Sequence, residues 1–426
     1  MNQAVSEGVA VRRTASRRVF VIDLARGLAV PMMIGVHVMW MFGGVAMQTG
    51  TGLGHWLHLM GQGASAFLVS MGFSFMVTPE CRLRRVMRRG VKLLSMAYLL
   101  NALKFLAPIY VFGSMPEEFI AAYGWHEPLH LDQVAYLLGT GDILHMAGIA
   151  LLAMGLMRRH VPNRQGLLAL MLGSIAFSAL MRGTRLGYPA ADYLLDMLWG
   201  MHWNVYFPVF PWIAHIMIGM ILGMVYVEHG ADERLLLRYA GRLGLVMLIA
   251  GWLVSRTDWA YHFHDFFHSG PGGTLYLIGR ALCVFWVVAR LLTLRPLPTW
   301  FRRAVRYLSV HVTTLYVMQW ILICWAMGVV GFHALGPWQV LAMIPVMSAA
   351  TLAAELGWRH LLAGLKEWGL RLRSSWWVGR RPKPRSADAV GGGLAALAVD
   401  PAAQPQGSAA VGFSHPATGS RQNHEQ

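Results

Sequence analysis

Long apolar runs recur along this chain and constrain its fold more than any other feature. A membrane-spanning helix needs roughly 17–25 mainly apolar residues, and by that rule about ten runs of the sequence qualify. They lie at 19–42, 56–77, 92–112, 134–157, 166–182, 206–227, 241–256, 273–294, 306–328 and 338–357. Because lipid offers the backbone no hydrogen-bond partners, such runs fold as helices. The sequence therefore predicts an all-α, polytopic helical bundle in the lipid bilayer.

Composition excludes an ordinary soluble domain. Of the 426 residues, 56% are hydrophobic and only 13% are charged, whereas roughly a quarter of a soluble domain is charged. The mean hydropathy is +0.46. Scattered cysteines predict neither a disulfide framework nor a thiolate metal site. They are Cys81, Cys283 and Cys324.

Basic residues cluster at alternate ends of the apolar runs, and this pattern predicts the orientation. The clusters lie at 12–18, 82–92, 158–164, 234–242 and 295–306. The intervening loops carry few basic residues, as the positive-inside rule requires of loops on the far side. We therefore expect both termini in the cytoplasm and the protein in the inner membrane. The net charge of +16 then needs no nucleic-acid partner.

The same features predict how the chain is organised. A basic cytoplasmic N-terminus at 1–18 precedes a membrane domain at 19–357, and a basic juxtamembrane segment follows at 358–385. Residues 386–426 are rich in Ala, Gly, Pro, Ser and Gln without lasting periodicity. That composition predicts a disordered cytoplasmic tail.

The first apolar run, IDLARGLAVPMMIGVH, carries three ionisable residues: Asp23, Arg26 and His37. In a helix, Arg26 and His37 point within about 20° of each other and lie ~16 Å apart along the axis. Asp23 precedes Arg26 by three residues and is close enough to pair with it. Each residue alone also fits a snorkelling or packing role. Because charge inside a membrane is costly, three such groups on one face predict a polar path from the cytoplasm toward the outer leaflet.

Other predicted helices add polar groups to this path. GDILHMAG (141–148) opens the fourth helix with Asp142 and His145, and His215 lies in the sixth. We expect His37, His145 and His215 to share the outer half of the membrane. Further polar residues within the predicted helices are Lys104, Arg280, Tyr316 and Gln319.

These residue types suit acyl transfer. A neutral histidine serves as a general base near pH 7, or as a nucleophile that carries the acyl group. An acyl-CoA donor is anionic at its nucleotide end, so a basic rim that includes Arg26 suits its phosphates. The outward loops are rich in aromatic and hydrogen-bonding residues, which suits a sugar acceptor or an interfacial aromatic belt.

The first run also resembles the first-helix signature of transmembrane acyltransferases. In the acyltransferase-3 group, an Arg and a His separated by ten residues mark the active helix, and here these are Arg26 and His37. The wider pattern looks closest to bacterial relatives of heparan-alpha-glucosaminide N-acetyltransferase. There, a similar Asp-x-x-Arg-Gly helix is followed by phrases like GDILHMAG and FPVFPWIAHIMIGMILG. YLSVHVTTLYVMQ resembles the Ser-Leu-x-x-Tyr helix near the end of such domains, so the resemblance covers residues 18–357.

The resemblance implies a membrane enzyme that takes an acyl group from cytoplasmic acetyl-CoA or another acyl-CoA, without a permanently bound cofactor or metal. The acceptor would be an envelope glycan or a small amino sugar on the far side. His37 would be the base or acyl carrier, and Arg26, held by Asp23, would line the CoA path. Candidate substrate-binding residues are His145, Asp142, His215, Arg280, Tyr316 and Gln319.

Two positions depart from the simplest version of this resemblance. The animal heparan enzyme is associated with a histidine in the loop after the first helix, which makes His55 an alternative catalytic residue here. Gln319 stands where many relatives have histidine. A homodimer is a further expectation.

Two other classes of function remain compatible with the sequence. A transporter of a glycan or lipid intermediate would use the same polar cavity without acyl chemistry, but the sequence lacks the paired halves typical of transporters. A metal or haem protein is the second class, because HFHDFFH places His264, Asp265 and His268 close together. This stretch lies in a predicted loop, whereas a bis-histidine haem needs pairs on facing helices.

Overall fold

The computed structural model describes residues 18–79, 82–202 and 204–378. In this part of the chain the structure is helical, with two isolated β-bridges and no longer strand. The helices are α1 (Phe20–Phe42), α2 (Val45–Gly50), α3 (Gly52–Gly61), α4 (Ala64–Val77), α5 (Leu83–Asn101), α6 (Glu117–Ala121), α7 (Leu131–Leu138), α8 (Ile143–His160), α9 (Arg164–Met181), α10 (Pro189–Trp199), α11 (Val209–Glu228), α12 (Glu233–Ser255), α13 (Trp259–His262), α14 (Pro271–Leu294), α15 (Thr299–Val330) and α16 (Pro337–Val378). A π-helical segment, Ala102–Val111, continues α5.

The predicted terminal segments fall largely outside this part of the chain. Residues 1–17 of the predicted basic N-terminus and the whole predicted tail at 386–426 lie outside the described residues. The helical bundle belongs to the first of two compact units, which ends at Leu365. The second unit begins at Lys366, inside α16.

The expectation of an all-α, polytopic membrane bundle is confirmed. Among the described residues, nine helical segments are long and apolar enough to cross a membrane. The predicted run at 134–157 is not among them. Its main helix, α8, has 18 residues and carries Arg158, Arg159 and His160 in its last turn, and these basic residues offset the apolar part.

The fourth predicted run is also wrong as one continuous helix. It is broken between Leu138 and Ile143 into α7 and α8. The break has a physical cause, because Gly141 exchanges backbone hydrogen bonds of 2.6 and 2.8 Å with Asn204 and Tyr206 instead of with a helix. Residues 139–148 are all buried. Helix α8 therefore begins in the interior of the bundle, where its first turn faces other side chains.

Glycines let the central helices pack unusually closely. A Cβ added to Gly72 of α4 would lie 2.0 Å from the carbonyl oxygen of Ile216 in α11, and one added to Gly219 would lie 2.0 Å from that of Val69. Small residues at helix crossings are typical of membrane bundles, in which close packing replaces the hydrophobic driving force. The α4–α11 pair therefore forms a fixed wall beside α1.

Helix α1 lies against α15 along much of its length. A Cβ on Gly27 would lie 2.6 Å from the carbonyl oxygen of Val305, so this crossing also depends on a glycine. Near the same end, the Ser309 hydroxyl donates a 2.9 Å hydrogen bond to Asp23. These contacts fix the helix that carries Arg26 and His37.

Candidate active site

Two cavities lie at successive depths along α1. The larger, with a volume of about 340 Å³, is lined by Arg26 and is called the arginine cavity. The smaller, of about 70 Å³, is lined by His37 and is called the histidine cavity. Tyr316 of α15 lines both. The predicted face of α1 therefore borders two chambers that share one side chain as a wall.

The arginine cavity has a basic rim and an apolar interior. Arg26, Arg89 and Arg158 line it from α1, α5 and α8, and no carboxylate of the described residues does. Arg158 lies in the last turn of α8 and donates hydrogen bonds of 3.0 and 3.1 Å to the carbonyl oxygens of Phe75 and Thr78. Three cations without counter-charges in the lining make this chamber suitable for an anionic ligand.

The interior of the arginine cavity is formed mainly by aliphatic, aromatic and methionine side chains, with a few hydroxyl groups. Among them are Met33, Phe67, Leu144 and Leu151. A long apolar lining behind a cationic rim fits a ligand that is charged at one end and flexible and uncharged at the other.

The histidine cavity is lined mainly by aromatic rings around a small polar cluster. The polar members are His37, Lys104, Asp142 and Tyr316, together with Thr140. The rings around them are Trp40, Phe105, Phe119, Tyr123, Tyr206, Phe207, Phe267 and Trp320. Aromatic walls with a few convergent polar groups are typical of a small-molecule site.

A buried ion pair forms the centre of the polar cluster. Lys104 Nζ lies 3.9 Å from Asp142 Oδ2, and both side chains are almost fully buried. The ammonium also lies 4.9 Å from the ring centre of Trp320. Lys104 belongs to the π-helical segment, a type of helix that occurs frequently at functional sites.

Asp142 is held by groups from its own helix and from α15. Its Oδ1 accepts hydrogen bonds from the backbone of Leu144 at 2.9 Å and of His145 at 3.4 Å, which caps α8. Its Oδ2 accepts a 3.3 Å hydrogen bond from Tyr316. The carboxylate is therefore fixed where it faces Lys104.

His37 is positioned by aromatic packing. Its ring stacks on Trp320 at 3.9 Å between centroids and lies 6.1 Å from the ring of Tyr316. The side chain is 7% exposed. Its Nδ1 is buried without a hydrogen-bond partner. Packing fixes the plane of the ring while that nitrogen is left without a fixed partner.

His145 lies behind Asp142 and does not line either cavity. Its Nδ1 is 3.1 Å from Asp142 Oδ1, and its ring packs edge-on against Tyr98 at 4.7 Å. The structure thus brings His145 to the polar cluster as a support for the carboxylate.

The remaining predicted site residues lie away from the lining of both cavities. His215 is 1% exposed, and Gln319 is 0% exposed. The side-chain nitrogens and oxygens of both lack hydrogen-bond partners. Arg280 donates a hydrogen bond to Gln62. The predicted convergence of three histidines is thus not seen in the cavity lining, which contains His37 alone.

Asp23 and His55 have surroundings that differ from those predicted. Asp23 accepts a hydrogen bond from Ser309, and the predicted ion pair with Arg26 is absent within 4.0 Å among the described residues. The exposed His55 places Nδ1 2.8 Å from the carbonyl oxygen of Thr51, one turn earlier, and lines neither cavity.

Two tyrosines in the wall of the histidine cavity lie outside the membrane-spanning segments. Burial raises the pKa of Tyr206 to about 12 and also raises the pKa of Tyr123. Both phenols are therefore protonated at neutral pH. Each hydroxyl is able to donate a hydrogen bond to a polar ligand.

Sequence reasoning missed several residues that line these cavities. The sequence pattern puts Lys104 inside the third helix without assigning it to the site, and it does not identify Trp320. Arg89 and Arg158 enter the sequence argument only as members of the basic clusters that predict the orientation. One signal could have found Lys104. It lies inside an apolar run, where a charge needs a partner, and Asp142 is a carboxylate at a similar depth in the next run.

The HFHDFFH stretch contributes contacts between two loops. No group of three His, Cys, Asp or Glu side chains suited to a metal occurs among the described residues. His268 Nδ1 lies 2.9 Å from Asp265 Oδ2, and His268 Nε2 lies 2.9 Å from the carbonyl oxygen of Val205. These contacts join the loop after α13 to the loop before α11.

Comparison with known protein families identifies the family to which the chain belongs. The family model of the catalytic domain of heparan-alpha-glucosaminide N-acetyltransferase matches residues 18–265, more than half of the chain. The chain belongs to this family. It is therefore a multi-pass membrane protein of an acetyltransferase family. Comparison with curated proteins finds no significant match.

The family match includes most of the polar cluster. His37, Lys104, Thr140 and Asp142 fall within residues 18–265, as does Arg26 of the arginine cavity. Tyr316 lies beyond the matched range, although it borders both cavities. The matched range thus contains the helices that carry most of the cluster, while α15 completes the walls of both cavities.

Proposed function

We propose that this protein transfers an acetyl or other short acyl group from acyl-CoA in the arginine cavity to a sugar in the histidine cavity. The observation that carries the proposal is that a cationic chamber and a chamber containing a histidine meet at Tyr316. The family match supports transferase chemistry.

The donor site is assigned from charge and from the direction of the helices. Arg26, Arg89 and Arg158 provide cations for the phosphates of CoA, and the apolar interior suits the pantetheine arm. The rim of this cavity includes the end of α8 and the start of α5, where the basic clusters of the sequence lie. The positive-inside rule puts this rim in the cytoplasm, which is where acyl-CoA is made.

The acceptor site is assigned from the lining of the histidine cavity. Sugars pack their apolar ring faces on aromatic side chains and exchange hydrogen bonds with hydroxyl groups. Tyr123 and Tyr206 supply such hydroxyls. The chemistry of this lining suits an amino sugar or the end of an envelope glycan on the outer side of the membrane.

The chemistry begins at His37. The ring removes a proton from the acceptor nitrogen or oxygen while that atom bonds to the thioester carbon. Negative charge develops on the thioester oxygen, and Lys104 stabilises it because both are enclosed away from water. The carbon–sulfur bond then breaks, and the CoA thiolate takes the proton from His37. Acylated acceptor and CoA are the products.

Asp142 acts as a positioning residue in this scheme. It faces Lys104 and accepts the hydrogen bond of Tyr316, and it therefore keeps the ammonium and the phenol in place without contacting the reacting atoms. His145 supports Asp142 from behind. Packing on Trp320 holds the His37 ring in one plane, which orients its nitrogens for proton transfer.

The test supplies isotope-labelled acetyl-CoA to inverted membrane vesicles that contain native envelope glycans. Wild type should label a glycan, whereas His37→Ala should abolish labelling while the protein still folds and inserts. His55→Ala is the matched control and should retain labelling. Full labelling by His37→Ala would contradict the role of His37. A wild type that binds no CoA and labels nothing, yet moves a glycan, would instead establish the transporter.

A further inference from the structure

A small apolar pocket opens beside the arginine cavity, between α1, the α3–α4 pair and the start of α8. Its volume is about 20 Å³, and it is called the side pocket. It shares Met33, Phe67 and Ile143 with the arginine cavity. Its remaining lining includes Ala29 and Ala64, which do not line the larger chamber.

The side pocket lies at the depth where the proposed function places the acyl group. Met33 is seven residues after Arg26 and four before His37, which puts it about 10 Å from the first and about 6 Å from the second along the helix axis. Ile143 directly follows Asp142 in the chain. A thioester that approaches His37 from the arginine cavity therefore carries its acyl tail past the pocket entrance.

The size and chemistry of the side pocket suit a hydrocarbon tail. All of its lining side chains are apolar, apart from glycines, which have none. A buried water needs roughly 10–15 Å³ and two to four polar partners. The pocket has the space but lacks polar side chains, so one or two methylene-sized groups fit it better than water. A long acyl chain exceeds its volume.

We propose that the side pocket is an acyl-chain subsite that admits propionyl and butyryl groups as well as acetyl. This inference rests on the proposed function. Ala29 and Ala64 set its size, because a larger side chain at either position occupies the space that the tail needs. Burial of each methylene group in the side pocket tightens binding of the acyl-CoA about fourfold. This gain offsets the poorer fit of a larger acyl group in the rest of the site.

The experiment measures kcat/KM for acetyl-, propionyl-, butyryl- and octanoyl-CoA with the full-length protein in lipid nanodiscs. Wild type should use propionyl-CoA within about tenfold of acetyl-CoA and should discriminate against octanoyl-CoA by at least about a hundredfold. Ala64→Leu fills the pocket and should lower the propionyl-to-acetyl ratio by about tenfold. Ala66→Leu, two residues along the same helix and outside the pocket, should leave this ratio as in wild type.

A second variant keeps the test independent of whether Ala64→Leu folds. Met60 lines the side pocket but not the arginine cavity, and Met60→Ala enlarges the pocket. It should raise the butyryl-to-acetyl ratio by about tenfold. Acetyl transfer without propionyl transfer in wild type would overturn the subsite alone. Unchanged ratios in both variants would do the same, whereas no transfer from any acyl-CoA would overturn the proposed function itself.

Discussion

Tyr316 of α15 donates a 3.3 Å hydrogen bond to Oδ2 of Asp142, the residue that caps α8. The two residues come from distant parts of the chain, and their contact lies where the arginine and histidine cavities meet. The ring of Tyr316 is therefore a wall that the two chambers share. This arrangement makes Tyr316 the most direct point at which to test whether the chambers work together.

Two replacements of Tyr316 should distinguish its role as a barrier between the cavities from its role as a hydrogen-bond donor. Tyr316→Phe keeps the ring and loses the hydroxyl, so transfer should fall only about fivefold, the value of one hydrogen bond. Tyr316→Ala opens the wall and should raise the ratio of free acetate to acetylated acceptor, because water then reaches the thioester. Both products are measured in one assay by chromatography of labelled material. An unchanged ratio in Tyr316→Ala would mean that Tyr316 is not the barrier.

Replacements of Lys104 and Asp142 should have strongly non-additive effects on the stability of the folded protein. Lys104→Met leaves a buried carboxylate without its cation, which should cost about 3–5 kcal/mol. The double variant Lys104→Met/Asp142→Asn removes both charges and keeps the helix cap, since Asn is also a good cap. It should regain most of the apparent melting temperature in detergent while remaining unable to transfer. A double variant with normal turnover would exclude the role proposed for Lys104.

The arginines of the arginine cavity should matter only for the nucleotide end of the donor. Arg26→Gln and Arg89→Gln should each raise KM for acetyl-CoA by about tenfold or more, because each removes a charge-assisted hydrogen bond to phosphate. Neither should change turnover of acetyl-pantetheine, which lacks the nucleotide. Arg164→Gln is the control, since Arg164 forms a half-exposed pair with Glu228 at 3.2 Å. Equal losses with both donors would point to a general structural defect.

The α4–α11 crossing should not tolerate even one added methyl group. Gly219→Ala would put Cβ 2.0 Å from the carbonyl oxygen of Val69, so the helices must separate. We expect little folded protein in gel filtration. Gly173→Ala meets nothing within 4 Å in α9 and should be neutral or slightly stabilising, by up to about 1 kcal/mol. Normal folding of Gly219→Ala would show that α4 and α11 can separate at this crossing without loss of the fold.

Asp265 should make stability depend on acidity. Burial alone would raise its pKa, but hydrogen bonds from His268 and from the backbone of Phe267 outweigh it and lower the pKa. The unfolded chain therefore takes up this proton first as pH falls. The stabilisation is fully present above about pH 4 and is lost as pH drops through the folded pKa.

Comparison of wild type with Asp265→Asn measures this contribution. Wild type should melt at the higher temperature in detergent at pH 6, and the difference should shrink when the pH falls below about 4. Asp258→Asn is the control, because Asp258 lies in the same loop and accepts a backbone hydrogen bond from Tyr261. A difference that stays constant down to pH 3 would contradict a lowered pKa at Asp265.

Hydrophobic runs predicted most of the bundle, because length and apolarity alone decide whether a segment can span lipid. They failed at Gly141, where pairing with a distant loop breaks the fourth run. Long-range backbone pairing leaves no periodic signal in the sequence. The break is also what brings Asp142 to the histidine cavity, so the error in the fold and the position of the site have one cause.

The site was predictable to the extent that it lies on one helix. Helical spacing put Arg26 and His37 on a common face, and both line cavities at different depths. The pairing of Lys104 with Asp142 depends on how α8 and the π-helical segment meet, which spacing within a helix does not describe. His215 and Gln319 were equally polar and equally embedded, yet they lie off the lining. Polarity identified the candidate residues, but only the packing of the helices determines which of them line a cavity.

The shared wall at Tyr316 limits how far anything must travel. If both substrates bind at once, only a few atoms pass from one chamber to the other, and neither CoA nor the glycan has to cross. We therefore expect movement of the Tyr316 side chain, and not rocking of helices against each other, to connect the two chambers. Turnover should accordingly be insensitive to bilayer thickness and fluidity, in contrast to a carrier that must alternate between two shapes to do its work.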